Sequence, residues 1–151
     1  MRKFEVVSRC KDMNVKLPER STVGSAGYDF FAIEDITIEP LSLHKPVLIK
    51  TGIKASMEED EVLLLFNRSS NPIKKGLVLA NSVGVIDKSF YNNKDNEGEI
   101  GFLFYNVSDT PITINKNDKL GQGIFTKFLI TDSDDYKAGN ERTGGFGSTG
   151  K

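Results

Sequence analysis

Apolar residues in this chain recur at every second position, and that period restricts the fold more than any other feature of the sequence. Val47, Ile49, Thr51 and Ile53 alternate with Leu48, Lys50, Gly52 and Lys54. Ile100, Phe102 and Phe104 alternate with Gly101, Leu103 and Tyr105. Ile124, Thr126, Phe128 and Ile130 alternate with Gly123, Phe125, Lys127 and Leu129. Successive side chains of a strand point to opposite faces, so each run predicts a two-faced strand. Shorter strands are expected at 3–7, 28–33, 36–39, 61–66, 77–79 and 111–114, separated by turn signals such as Lys45-Pro46, Asn71-Pro72 and Asn117-Asp118. No long stretch carries a helical period. The expectation is an all-β sandwich, jelly roll or barrel, and 151 residues make one domain.

Composition excludes several classes of function. Lys and Arg number 20 against 21 Asp and Glu, for a net charge of −1, so no excess of cations is available for nucleic acid or an anionic membrane. The lone cysteine, Cys10, excludes an internal disulfide and fits a reducing cytoplasm. One cysteine and one histidine, His44, argue against structural zinc and against a His-dependent nucleophile. The opening residues lack an apolar signal segment, and no run is long enough to span a membrane.

Two segments break the alternation. Asn92-Asn93-Lys94-Asp95-Asn96-Glu97-Gly98 is polar and is expected to be an exposed hairpin tip. Beyond a core of 1–130, the stretch 131–151 turns acidic and then glycine-rich, which predicts a flexible arm.

Several local patterns carry candidate chemistry, each with a plainer alternative. Glycines around Gly147, with Arg142, Ser148 and Thr149, could close over a polyanion, and Phe146 could land on a flat base; a solvated tail has the same glycine content. Arg68, Ser69 and Ser70, directly after an apolar strand, suit a phosphate grip or a strand-ending turn. Asp87, after Gly84, Val85 and Ile86 and before Phe90, could be a general base for water or an acid serving a turn. Asp29 could orient metal-bound water, since Mg²⁺ prefers oxygen ligands and keeps several waters. Gln122 is a candidate amide donor to phosphate.

In order, these patterns are Ala26-Gly27-Tyr28-Asp29, Arg68-Ser69-Ser70, Gly84-Val85-Ile86-Asp87, Asp118-Lys119-Leu120-Gly121-Gln122 and Gly144-Gly145-Phe146-Gly147-Ser148-Thr149-Gly150. The set resembles the five ordered motifs of the trimeric deoxyuridine triphosphate nucleotidohydrolases (dUTPases), from about Gly24 to the last residue. The resemblance implies a β-jelly-roll homotrimer whose subunits share active sites. It also implies cleavage of dUTP to dUMP and pyrophosphate with Mg²⁺ on the triphosphate, which limits uracil in DNA and supplies dUMP for thymidylate. Asp87 then matches the acid that activates water, and Asp29 the acid that holds metal-bound water. Arg68, Ser69, Ser70 and Gln122 match phosphate-side residues. Asn81 and the backbone of Gly84, Val85 and Ile86 match the uracil reader, Phe90 the ring at the sugar, and Phe146 the ring over the base. Arg142, Gly147, Ser148 and Thr149 match the arm's phosphate grip.

Three departures from the family pattern stand out. Phe90 occupies a position that is normally tyrosine, and Tyr91 follows it. The 92–98 loop is longer than in many members and could offer a partner surface, and the tail has one residue fewer between Arg142 and Gly144. The rival activities are a dCTP deaminase, a module of the same fold that only binds, and a carbohydrate-binding jelly roll. Asp87 in its GVID setting and the Phe146 tail argue against the first. The joint presence of Asp29, Arg68, Asp87 and Gln122 argues against the second, and the absence of Trp against the third.

Overall fold

In the computed structural model, which describes residues 1–41, 45–134 and 144–146, the alternating runs form antiparallel strands. They are β1 (Lys3–Val6), β2 (Tyr28–Phe31), β3 (Ile36–Ile38), β4 (Val47–Lys50), β5 (Ile53–Ser56), β6 (Glu61–Asn67), β7 (Leu77–Leu79), β8 (Gly84–Asp87), β9 (Gly101–Asn106), β10 (Ile112–Ile114) and β11 (Lys119–Lys127). A four-stranded sheet runs β2-β11-β6-β8 and a three-stranded sheet runs β4-β9-β7, with β1-β5 and β3-β10 as two-stranded pairs. The architecture is an all-β jelly roll. One core fills the space between the sheets, where Phe30 of β2 meets Phe102 of β9 edge to face at 5.5 Å. Phe102 and Phe104 are buried, as their alternation predicts, and so is Leu63 of the apolar β6.

The expected strand across Val47 to Lys54 is two strands. β4 pairs with β9 and β5 pairs with β1, and the chain changes sheets at Gly52, whose φ of +72° is a left-handed conformation open to glycine. The buried Glu99 fixes this corner: it accepts the Gly52 N–H at 3.0 Å and Arg9 Nε at 2.8 Å. At the other end of the sequence, β11 stops at Lys127 because its partner β6 begins at Glu61 opposite it. Phe128, Leu129 and Ile130 therefore leave the sheet, exposed at 44%, 97% and 67%.

The 92–98 segment is not a hairpin tip. It joins β8 of one sheet to β9 of the other, and Asn93 inside it is only 5% exposed. Asn93 Nδ2 donates to Phe90 O and Asn96 Oδ1, while its Oδ1 accepts the N–H groups of Asp95 and Asn96. The polar residues there are tied to the local backbone, as Asn side chains do in turns.

Arg2 clamps the start of β6, with Nε at 3.0 Å from both carboxylate oxygens of Glu61. Hydrogen bonds from Arg2, then the Glu58 backbone N–H, hold the Glu61 carboxyl down to about 2. A depressed carboxyl contributes stability that is complete above the ordinary Glu range and is lost as pH falls toward the folded value. Arg2→Gln is therefore expected to move acid unfolding, followed by circular dichroism, to higher pH; an unchanged midpoint would contradict this.

Candidate active site

The sheet register lines up one half of the candidate site. Gln122 of β11 pairs with Asp29 of β2 on one side and with Phe66 of β6 on the other, and Arg68 follows two residues after Phe66. Gly27 leaves room beside them: a Cβ there would stand 2.5 Å from Gln122 Oε1 and push the Gln122 amide from its place. The turn after β6 is held by two asparagines. Asn71 Nδ2 donates to Asn67 Oδ1 and to Leu120 O, both at 2.8 Å, and Asn67 Oδ1 also accepts the Arg68 N–H at 2.9 Å. Arg68, Ser69 and Ser70 thus leave a fixed strand end, with Ser69 exposed.

Asp29 is 9% exposed and ionised by its surroundings. Its Oδ2 accepts Ser21 Oγ at 2.5 Å and pairs with Lys119 Nζ at 2.8 Å. Burial alone would raise the carboxyl, but the hydrogen bonds from Lys119 and Ser21, with the charges of Lys119 and Arg68, outweigh it and hold it below the usual Asp value. Lys119 was not a sequence-level candidate. A lysine entering a strand from a polar turn is usually solvated, and strict alternation sets Lys119 and Gln122 on opposite faces. A bulge between Lys119 and Gly121 shifts the register by one and brings both to the Asp29 face.

The second half lies elsewhere. β8 pairs with β6 so that Gly84 faces Leu65 and Asp87 faces Val62. A strand advances about 3.3 Å per residue, so the steps from Val62 to Asn67 put Asp87 about 17 Å from the Arg68 end. Asp87 is exposed where β8 runs into the short 3-10 turn Lys88–Phe90, and β8 is the edge strand of its sheet. Asn81 lies exposed in the turn before β8, and its carbonyl accepts the Val83 N–H at 2.7 Å.

Phe90 is 3% exposed, and its ring meets Phe146 edge to face at 5.6 Å between centroids. The Gly145 N–H donates to Asp95 Oδ2 at 3.2 Å. The Gly144–Phe146 segment therefore rests against Phe90 and Asp95. Tyr91 does not supply the phenol that Phe90 lacks, since its hydroxyl donates to Glu5. Arg142, Gly147, Ser148, Thr149 and His44 lie outside the described residues. Among the described residues, no three His, Cys, Asp or Glu side chains gather as a metal cage, and no helix is long and apolar enough to cross a membrane.

A family model, dUTPase, matches residues 13–150. The chain belongs to the dUTPase family. It is similar to the deoxyuridine 5'-triphosphate nucleotidohydrolase of Lactococcus lactis, with 50% identity over 150 residues that cover 99% of this chain and 98% of that one. The enzyme of the same name from Helicobacter pylori strain P12 is 31% identical over 140 residues, covering 91% and 90%. Among solved structures, the dUTPase from Streptococcus mutans superposes with a TM-score of 0.79 and 46% identity, over 85% of this chain and 98% of that chain. A point mutant of the dUTPase of Staphylococcus aureus phage phi11, described with a structural Mg(II) ion, has a TM-score of 0.69 and 25% identity, over 87% and 94%.

Proposed function

We propose that this dUTPase hydrolyses dUTP to dUMP and pyrophosphate at sites completed between copies of itself in a homotrimer. One observation carries the shared site: Asp87 and the Asp29–Arg68–Gln122 group sit at opposite ends of β6, about 17 Å apart, too far for one chain to bring both to one phosphate. The exposed run Phe128, Leu129 and Ile130 supports association, because an apolar cluster of this kind is stabilised when a second copy covers it.

Asp87 accepts a proton from water as the water oxygen bonds to the α-phosphorus, and the electron pair of the broken bridge leaves with pyrophosphate. Rigid β8 aims that carboxylate. Arg68 and Gln122 hold the phosphate chain, with Ser69 and Ser70 beside them, and Arg68 balances charge on the leaving oxygens. Mg²⁺ fits the donor set: it takes one or two carboxylates plus substrate phosphates and keeps several waters, and Asp29 is an ionised carboxylate flanked by cations suited to a polyanion. Asp29 would hold it through water, and when bound it supplies positive charge to the triphosphate.

The outer edge of β8 offers the backbone of Gly84, Val85 and Ile86 for uracil. Fixed donors and acceptors matched to O4 and N3–H would leave cytosine with buried unpaired groups. Phe146 covers the base, and the 131–151 arm carries Arg142, Gly147, Ser148 and Thr149 to the phosphates. Exposed Asn92, Lys94 and Asp95 are the part of the 92–98 loop open to a protein partner. The balance of charge and the single thiol suit cytoplasmic work.

The test is pyrophosphate release from dUTP, dCTP, dTTP and UTP, with Mg²⁺ and with chelator. The expected result is release from dUTP preferred by about 10³-fold or more, and abolished by chelator. Equal release from dCTP, or none from dUTP, would contradict the proposal.

A further inference from the structure

Lys119 has no role in the scheme above, yet it makes the closest charged contact to Asp29. Its Nζ lies 2.8 Å from Asp29 Oδ2 and donates to Ser21 Oγ at 3.0 Å, while Ser21 Oγ donates to the same Oδ2 at 2.5 Å. Three side chains from three places in the sequence thus close a ring on one carboxylate oxygen. The partners differ in exposure: the Asp29 side chain is 13% exposed and Lys119 36%, so the carboxylate is sheltered while the ammonium stays partly open.

A surface ion pair contributes little, but a pair that fixes a sheltered carboxylate restricts its rotation. Both contacts fall on Oδ2, so they set the direction of Oδ1 as well. The bulge turns Lys119 to the face that carries Asp29 and Gln122, while Leu120 between them fills the core.

We propose that Lys119 is a positioning residue for this hydrolysis, acting through Asp29: it holds the Asp29 carboxylate aimed for the hydrated Mg²⁺ of the incoming nucleotide. This inference rests on the dUTP reading. Without Lys119 the carboxylate is free to turn, and more Mg²⁺ is needed to fill the site.

The experiment compares wild type, Lys119→Met, Lys119→Arg, Asp29→Asn and the double variant Lys119→Met/Asp29→Asn. Each is measured for kcat and KM on dUTP across Mg²⁺ concentrations. Binding of α,β-imido-dUTP with and without Mg²⁺ is measured by calorimetry, and folding is checked by thermal melting. Lys119→Met is expected to lower kcat about tenfold and to raise the Mg²⁺ midpoint, with Lys119→Arg restoring most of both. It is also expected to weaken Mg²⁺-dependent binding of the analogue while leaving metal-free binding unchanged. In the Asp29→Asn background, Lys119→Met should have no further effect, because the two substitutions remove one function. A full additional loss in the double variant would assign Lys119 to the phosphates directly and overturn the inference. An unchanged Mg²⁺ midpoint in folded Lys119→Met would overturn it too. If wild type neither cleaves dUTP nor binds its analogue, the dUTP reading itself falls, an outcome distinct from both.

Discussion

Asp87→Asn is expected to lower kcat on dUTP by about 10³-fold while changing KM by less than about threefold. The amide keeps the shape of the carboxylate but does not accept a proton from water at neutral pH, so the loss falls on the transition state. The sheet is expected to stay intact. Asp87 is exposed at the end of β8, its side chain does not cap the following turn, and the β8 ladder to β6 is made by backbone groups. Steady-state pyrophosphate release checks the kinetics, and analogue binding checks that the nucleotide still docks. A kcat within about tenfold of wild type would remove Asp87 from the role of general base, since losing such a base takes away about 10²-fold or more.

The strands that pack on one partner were legible in the sequence. In β9, Phe102 and Phe104 alternate cleanly because one face meets the core along the whole strand. The run from Val47 to Lys54 alternates equally well, yet it is broken at Gly52, because a change of sheet preserves the in-out pattern and only the glycine marks the corner. The 92–98 segment misled through composition: Asn93 is polar yet buried, with its amide bonded to nearby backbone groups. Asp29, Arg68 and Gln122 were each visible as residues, but their meeting depends on the β2-β11-β6 register, which no local pattern encodes. Lys119 was hidden by the bulge. The distance from Asp87 to Arg68 was likewise invisible until β8 was seen to pair with the far end of β6.

That distance supports the largest qualitative prediction. Arg68→Met removes the cation of the phosphate half, and Asp87→Asn removes the base of the other half, so each variant alone is expected to be nearly inactive. If a working site joins the two halves from different chains, co-refolding equal amounts of the two variants creates some sites with an intact Arg68 from one copy and an intact Asp87 from another. Random mixing gives about a quarter of all sites this composition, so activity should return to about a quarter of wild type. If both halves of a site come from the same chain, every site in the mixture carries one of the two lesions and nothing returns. Pyrophosphate release from dUTP by the co-refolded mixture, beside each variant refolded alone, is the most direct test. Recovery to about a quarter of wild type supports sites shared between chains, and a mixture no more active than its parents contradicts them.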